Sequence, residues 1–148
     1  MHLKSITMAL ILCLATFSTA LAGTSMDMTM KMGGKQIMLP MVKVDGVSAM
    51  AHLKDIKAAM AKMGMTATNH FMVMFTDRKS GKQLTDGMAA LKITNPAGKT
   101  SGPIMLMAME GAFGSDITMN KPGLYKLDVG TRLNDGRKRV FHFTYTVK

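Results

Sequence analysis

An immunoglobulin-like antiparallel β-sandwich of about seven strands, with one short helix, is the fold class this 148-residue sequence predicts. Three observations predict it. Short runs of alternating apolar residues follow one another at close spacing, as in His70–Thr76 and Arg139–Val147. Turn chemistry separates them, at Asp45-Gly46, Asn95-Pro96-Ala97-Gly98 and Asn134-Asp135-Gly136. Asn120-Lys121-Pro122-Gly123-Leu124-Tyr125-Lys126-Leu127 follows a tyrosine-corner pattern, with Leu127 where antibody domains carry their second cysteine.

The first segment reads as an export leader. Lys4 precedes an apolar run from Ile6 to Leu21, and Ala20-Leu21-Ala22 supplies small residues for cleavage before Gly23. No second apolar run of ~20 residues follows, so residues 1–22 read as a signal peptide, with a retained N-terminal anchor as the alternative, and the protein as periplasmic. The only cysteine, Cys13, falls within this leader. The mature chain therefore excludes disulfides and thiolate ligands. Residues 23–35 are polar, Met-rich and close on Gly33-Gly34, which describes a flexible arm. Residues 36–148 have the length of a single domain.

Within that domain, Gln36–Val44 is an extended segment that Pro40 interrupts, which places it at a sheet edge. Val47–Leu53 alternates as a strand, with Met50 and His52 opposite Val47, Ala49, Ala51 and Leu53. Lys54–Met63 carries Ala58, Ala59 and Ala61, and repeats Ile56, Met60 and Met63 at helical intervals. Met50 and Leu53 also fit that period, so a helix could begin before His52. Gly64 ends it. His70–Thr76, Met88–Thr94 and Pro103–Met109 read as further strands. A glycine-rich bend through Gly111 and Gly114 leads to a short segment around Asp116–Met119. Leu124–Thr131 and Arg139–Val147 form a final hairpin, with Phe141, Phe143, Tyr145 and Val147 on one face and His142 on the other.

Methionine sets the chemistry. The chain has 19, several in alternating runs: Met26, Met28, Met30 and Met32; Met72 and Met74 after His70; Met105, Met107 and Met109. Alternation places each run on one face of a strand. His70, Met72 and Met74 project opposite Phe71, Val73 and Phe75, and the aromatic, branched set makes the better core. Imidazole and thioether together form a soft ligand set suited to Cu(I) or Ag(I). Packing of Met72 and Met74 beneath the helix accounts for the same pattern. Met105 and Met107 repeat the geometry, but both faces of their strand are apolar enough for core packing. The candidate metal ligands are therefore His70, Met72, Met74, Met50, His52, Met105 and Met107, with Met60, Met63 and Met65 able to close the patch. In the arm, Met26–Met32 have no core to fill, which leaves metal capture, docking into a partner's groove or a bias of composition.

Catalysis finds no support in the sequence. His52, His70 and His142 belong to no Ser or Cys nucleophile motif, no phosphate loop joins a strand to a helix, and Asp77 and Asp86 lie in turns. A formal net charge of +10 comes from scattered lysines without interleaved aromatic residues, so no nucleic-acid surface is indicated. The scattered lysines describe a solvated basic surface, and their lack of clustering weakens the case for anionic lipid headgroups or an acidic partner protein.

The segment Met63-Gly64-Met65-Thr66-Ala67-Thr68-Asn69-His70-Phe71-Met72-Val73, with the Gly111–Asp116 bend and Gly123-Leu124-Tyr125, resembles small exported YtkA-like or FixH-like β-sandwich proteins. The resemblance covers roughly residues 36–148. It implies a periplasmic β-sandwich, and copper handling in the cell envelope for some of its members. Relatives often place a second histidine before the His70 position, where this chain has Asn69. The expected function is a non-catalytic periplasmic protein that binds or delivers Cu(I) through Met and His. The alternative is a metal-free module whose Met-rich surfaces dock an envelope protein.

Overall fold

The computed structural model describes residues 34–148; the expected leader and the arm through residue 33 lie outside the described residues. Nine strands and one helix follow in order: β1 (Gln36–Met38), β2 (Val42–Val44), β3 (Val47–Asp55), α1 (Lys57–Lys62), β4 (Asn69–Asp77), β5 (Gly87–Thr94), β6 (Ile104–Met109), β7 (Ala112–Ile117), β8 (Gly123–Leu133) and β9 (Lys138–Val147). The strands pair antiparallel along the path β1-β3-β4-β7-β6-β5-β8-β9, and β2 also pairs with β3.

The path curls because β6 serves two neighbours. Its first half, Ile104–Leu106, pairs with Leu91–Ala89 of β5; its second half, Met107–Met109, pairs with Gly114–Ala112 of β7. One strand thus turns the corner between two layers, β3-β4-β7 and β5-β8-β9. Alternate residues of each layer point inward and are fully buried: Phe71, Val73 and Phe75 from β4, Leu127 and Val129 from β8, Phe141 and Phe143 from β9. Ring contacts join the layers, with Phe75 and Phe141 centroids 5.2 Å apart and Phe71 and Phe143 6.5 Å apart.

The mainly-β architecture agrees with the sequence expectation, and three details correct it. The described residues form nine strands rather than about seven. The segment 36–44 is two short edge strands separated at Leu39-Pro40-Met41, and the bend after Met109 is a tight turn followed by β7. Glu110 and Gly111 make that turn with φ of 43° and 85°. Helix α1 is confined to Lys57–Lys62, because β3 continues through Lys54 and Asp55 in pairing with His70 and Asn69. His52 therefore belongs to a strand. Helix α1 buries none of its residues, and Met63 and Met65 beside it are 62% and 58% exposed. It contributes no core and gives no support to packing of Met72 and Met74 beneath it.

The tyrosine corner is present. Tyr125 is buried, and its hydroxyl oxygen accepts a hydrogen bond from the Lys121 backbone N–H at 3.0 Å. Tyr125→Phe is expected to cost about 1 kcal/mol in chemical denaturation, the net worth of one hydrogen bond. At the other end, the buried Arg139 guanidinium donates to both carboxylate oxygens of Asp135, at 2.6 and 3.1 Å. That pairing holds the Asp135 carboxyl down at about 2. It also fixes the β8–β9 turn against the Asp45 carbonyl, which accepts from the same guanidinium.

Candidate metal centre

Register decides which side chains meet on the outer face of the first layer. In antiparallel strands, directly paired residues point to the same side. Met38 of β1 pairs with His52 of β3, His52 with Met72 of β4, Met72 with Gly114 of β7, and Gly114 with Met107 of β6. These five residues form one row across five strands. The adjoining row is Gln36, Lys54, His70 and Asp116. On the other side lies the pair Met50–Met74. Two imidazoles and five thioethers thus share a continuous patch on the solvent side of the sheet.

The His70 ring is anchored. Its Nδ1 lies 2.6 Å from Asp116 Oδ1. A carboxylate accepts, so in the neutral imidazole Nδ1 carries the proton and Nε2 keeps its lone pair. This is the arrangement in which a carboxylate that does not itself touch the metal orients a metal-binding histidine. Nε2 is directed over Gly114, 3.2 Å from where a Cβ would stand, and Met72 Cγ approaches the same point to 3.1 Å. The imidazole and the thioether side chain of β4 therefore lean together above a residue without a side chain.

His52 is diagonal to His70 and half-buried. Burial, and secondarily the proximity of His70, lower its pKa and favour the neutral ring. A neutral imidazole can donate its lone pair to a metal.

The candidates divide accordingly. His52, His70, Met72, Met50, Met74 and Met107 share the patch. Met105 lies elsewhere: it pairs with Ala90 of β5, beyond the corner in β6, and lines a shallow groove with Met88, Gly130 and Val140 on the second layer. Core packing, the expectation for β6, does not hold for either residue, since Met105 is 58% and Met107 71% exposed. Met119 is the one buried methionine among the described residues. The methionines of residues 26–32 lie outside the described residues.

Three members of the patch were missed by sequence reasoning. Met38 alternates with Gln36, yet only pairing with β3 brings it to His52. Asp116 reaches His70 through the β4–β7 pairing, between residues far apart in sequence. Gly114 looked like part of a bend, although an isolated glycine among strand-forming residues can also signal close approach. A second His–carboxylate pair, His142 Nδ1 to Asp128 Oδ1 at 2.6 Å, occurs on the other layer, where Lys92 rather than methionine flanks it. Among the described residues, no three His, Cys, Asp or Glu groups cluster as a metal site.

No family model and no curated protein matches this chain. Among solved structures, the crystal structure of FetP from uropathogenic E. coli strain F11, recombinantly expressed in the periplasm of E. coli, is similar. Its TM-score is 0.54 at 15% identity, covering 76% of this chain and 97% of FetP. The likeness is one of fold. It agrees with a small β protein and does not single out YtkA-like or FixH-like relatives.

Proposed function

We propose that this chain is an exported, non-catalytic periplasmic protein that binds Cu(I), for sequestration or delivery, through the His–Met patch on β3 and β4. One observation carries the reading: Asp116 anchors His70, whose Nε2 and the Met72 side chain both approach the space above Gly114. Soft, partly exposed donors without thiolate or a carboxylate cluster suit a monovalent soft ion. The leader pattern supports export, and no helix among the described residues is long and apolar enough to cross a membrane.

The processed protein is expected to bind Cu(I) or Ag(I) at defined stoichiometry under reducing conditions. Asp116→Asn is expected to weaken that binding by about 10- to 100-fold, through loss of ring orientation. Competition with a chromophoric Cu(I) chelator measures both. No binding by the wild type would remove the proposal.

A second reading, a metal-free docking module for an envelope partner, draws on the groove of the second layer. There Met88, Met105 and Val140 are exposed around Ala90 and Gly130, with Arg132 and Lys138 at one end. Under that reading, Met→Leu replacements on the first layer leave function nearly intact, because volume and apolarity are kept.

A further inference from the structure

Gly114 differs from the turn glycines of this fold. Those at turns, such as Gly111 and Gly136, have positive φ and are required by the backbone. Gly114 has no such conformation, and it lies within a strand, where glycine loses entropy and forfeits a packing side chain. Its requirement is one of space. An added Cβ would stand 3.0 Å from the Phe71 carbonyl oxygen, 3.1 Å from Met72 Cγ and 3.2 Å from His70 Nε2. Two of these three neighbours belong to the donor side chains of the patch. Gly130, also within a strand, has its nearest neighbour at 3.9 Å and no donor side chain beside it.

The register gives the gap a far wall. Gly114 separates Met72 on β4 from Met107 on β6, so the two methionines stand two strand spacings apart, about 9–10 Å, with no side chain on the intervening β7 residue. Two flexible thioethers can converge across such a gap. Met107 is free to do so. It is 71% exposed and lies just past the point where β6 leaves β5 for β7.

We propose that Gly114 is the positioning residue of the metal centre: its missing side chain lets His70 Nε2, Met72 and Met107 converge on one soft monovalent cation as a nitrogen-and-two-sulfur set. The inference rests on the Cu(I)-binding reading and specifies its donors. Met105, two residues earlier on the same strand, is excluded because it faces Ala90 on the second layer.

Cu(I) affinity, measured by chelator competition on wild type, Gly114→Ala, Met107→Leu and Met105→Leu, tests it, with apo unfolding midpoints recorded in parallel. Met107→Leu is expected to bind Cu(I) about tenfold more weakly or worse, with an unchanged apo midpoint, because the side chain is exposed. Gly114→Ala should lose at least as much, while Met105→Leu should match wild type. In wild type, Ag(I) should displace the Met107 methyl NMR signal, which a purely structural glycine would not cause. If Gly114→Ala does not fold, Met107→Leu and that methyl signal decide the matter. A wild type that binds Cu(I), with Met107→Leu equally tight and an unmoved Met107 methyl, overturns this inference and leaves the binding function standing. Failure of the wild type to bind overturns both.

Discussion

The double variant His70→Ala, Met72→Leu is expected to lower Cu(I) affinity by about 100-fold or more, while the apo domain unfolds close to the wild-type midpoint. The affinity loss follows from removing both donors that β4 directs over Gly114. Loss of a group that only orients a ligand costs about 10- to 100-fold at metal sites, and loss of the donors themselves should exceed it. The small effect on folding follows from position. Both side chains are only half-buried on the outer face, and Met→Leu conserves volume at a cost below about 1.5 kcal/mol. Chelator competition and thermal unfolding on the same preparations separate the two effects. Wild-type affinity in the double variant would show that the β4 face is not the binding site.

Phe75→Ala should instead cost about 3–5 kcal/mol of stability, lowering Tm by roughly 10–20 °C for a domain of this size. Phe75 is fully buried and contacts both halves of the curl. Its ring centroid is 5.2 Å from Phe141 across the layers and 5.7 Å from Phe113 on β7. Removing it opens a cavity where the layers meet, and neighbouring β-branched and aromatic groups can collapse into it only partly. Denaturant unfolding followed by far-UV circular dichroism measures the loss. A cost under about 1 kcal/mol would mean that this aromatic contact does not hold the layers together.

These two variants sit on opposite faces of one strand, and that division was readable from sequence. Alternation of His70, Met72 and Met74 with Phe71, Val73 and Phe75 separated outer face from core, because a period of two has only one physical expression in a strand. The turn at Asn134-Asp135-Gly136 and the tyrosine corner were equally clear, being local signals. Periodicity alone could not decide between helix and strand at Met50–Leu53. Pairing with β4 settled it, as each residue through Asp55 has a partner there. The methionines of β6 misled for a related reason. A strand apolar on both faces suggests burial, but β6 is the corner between layers and leaves Met105 and Met107 exposed on different surfaces. Nothing local to Met38, Gly114 or Asp116 announces the patch. Each joins it through register with a strand distant in sequence, information that arises only when the sheet assembles.

A silver titration followed through assigned methionine methyl and histidine side-chain NMR signals reports which side chains of the patch hold a soft monovalent ion. One equivalent of Ag(I) is expected to shift the signals of Met72 and His70, while those of Met88, Met105 and the buried Met119 stay in place. Signals that remain unmoved at His70 and Met72, or that drift together across all methionines without saturating, would contradict binding at this patch.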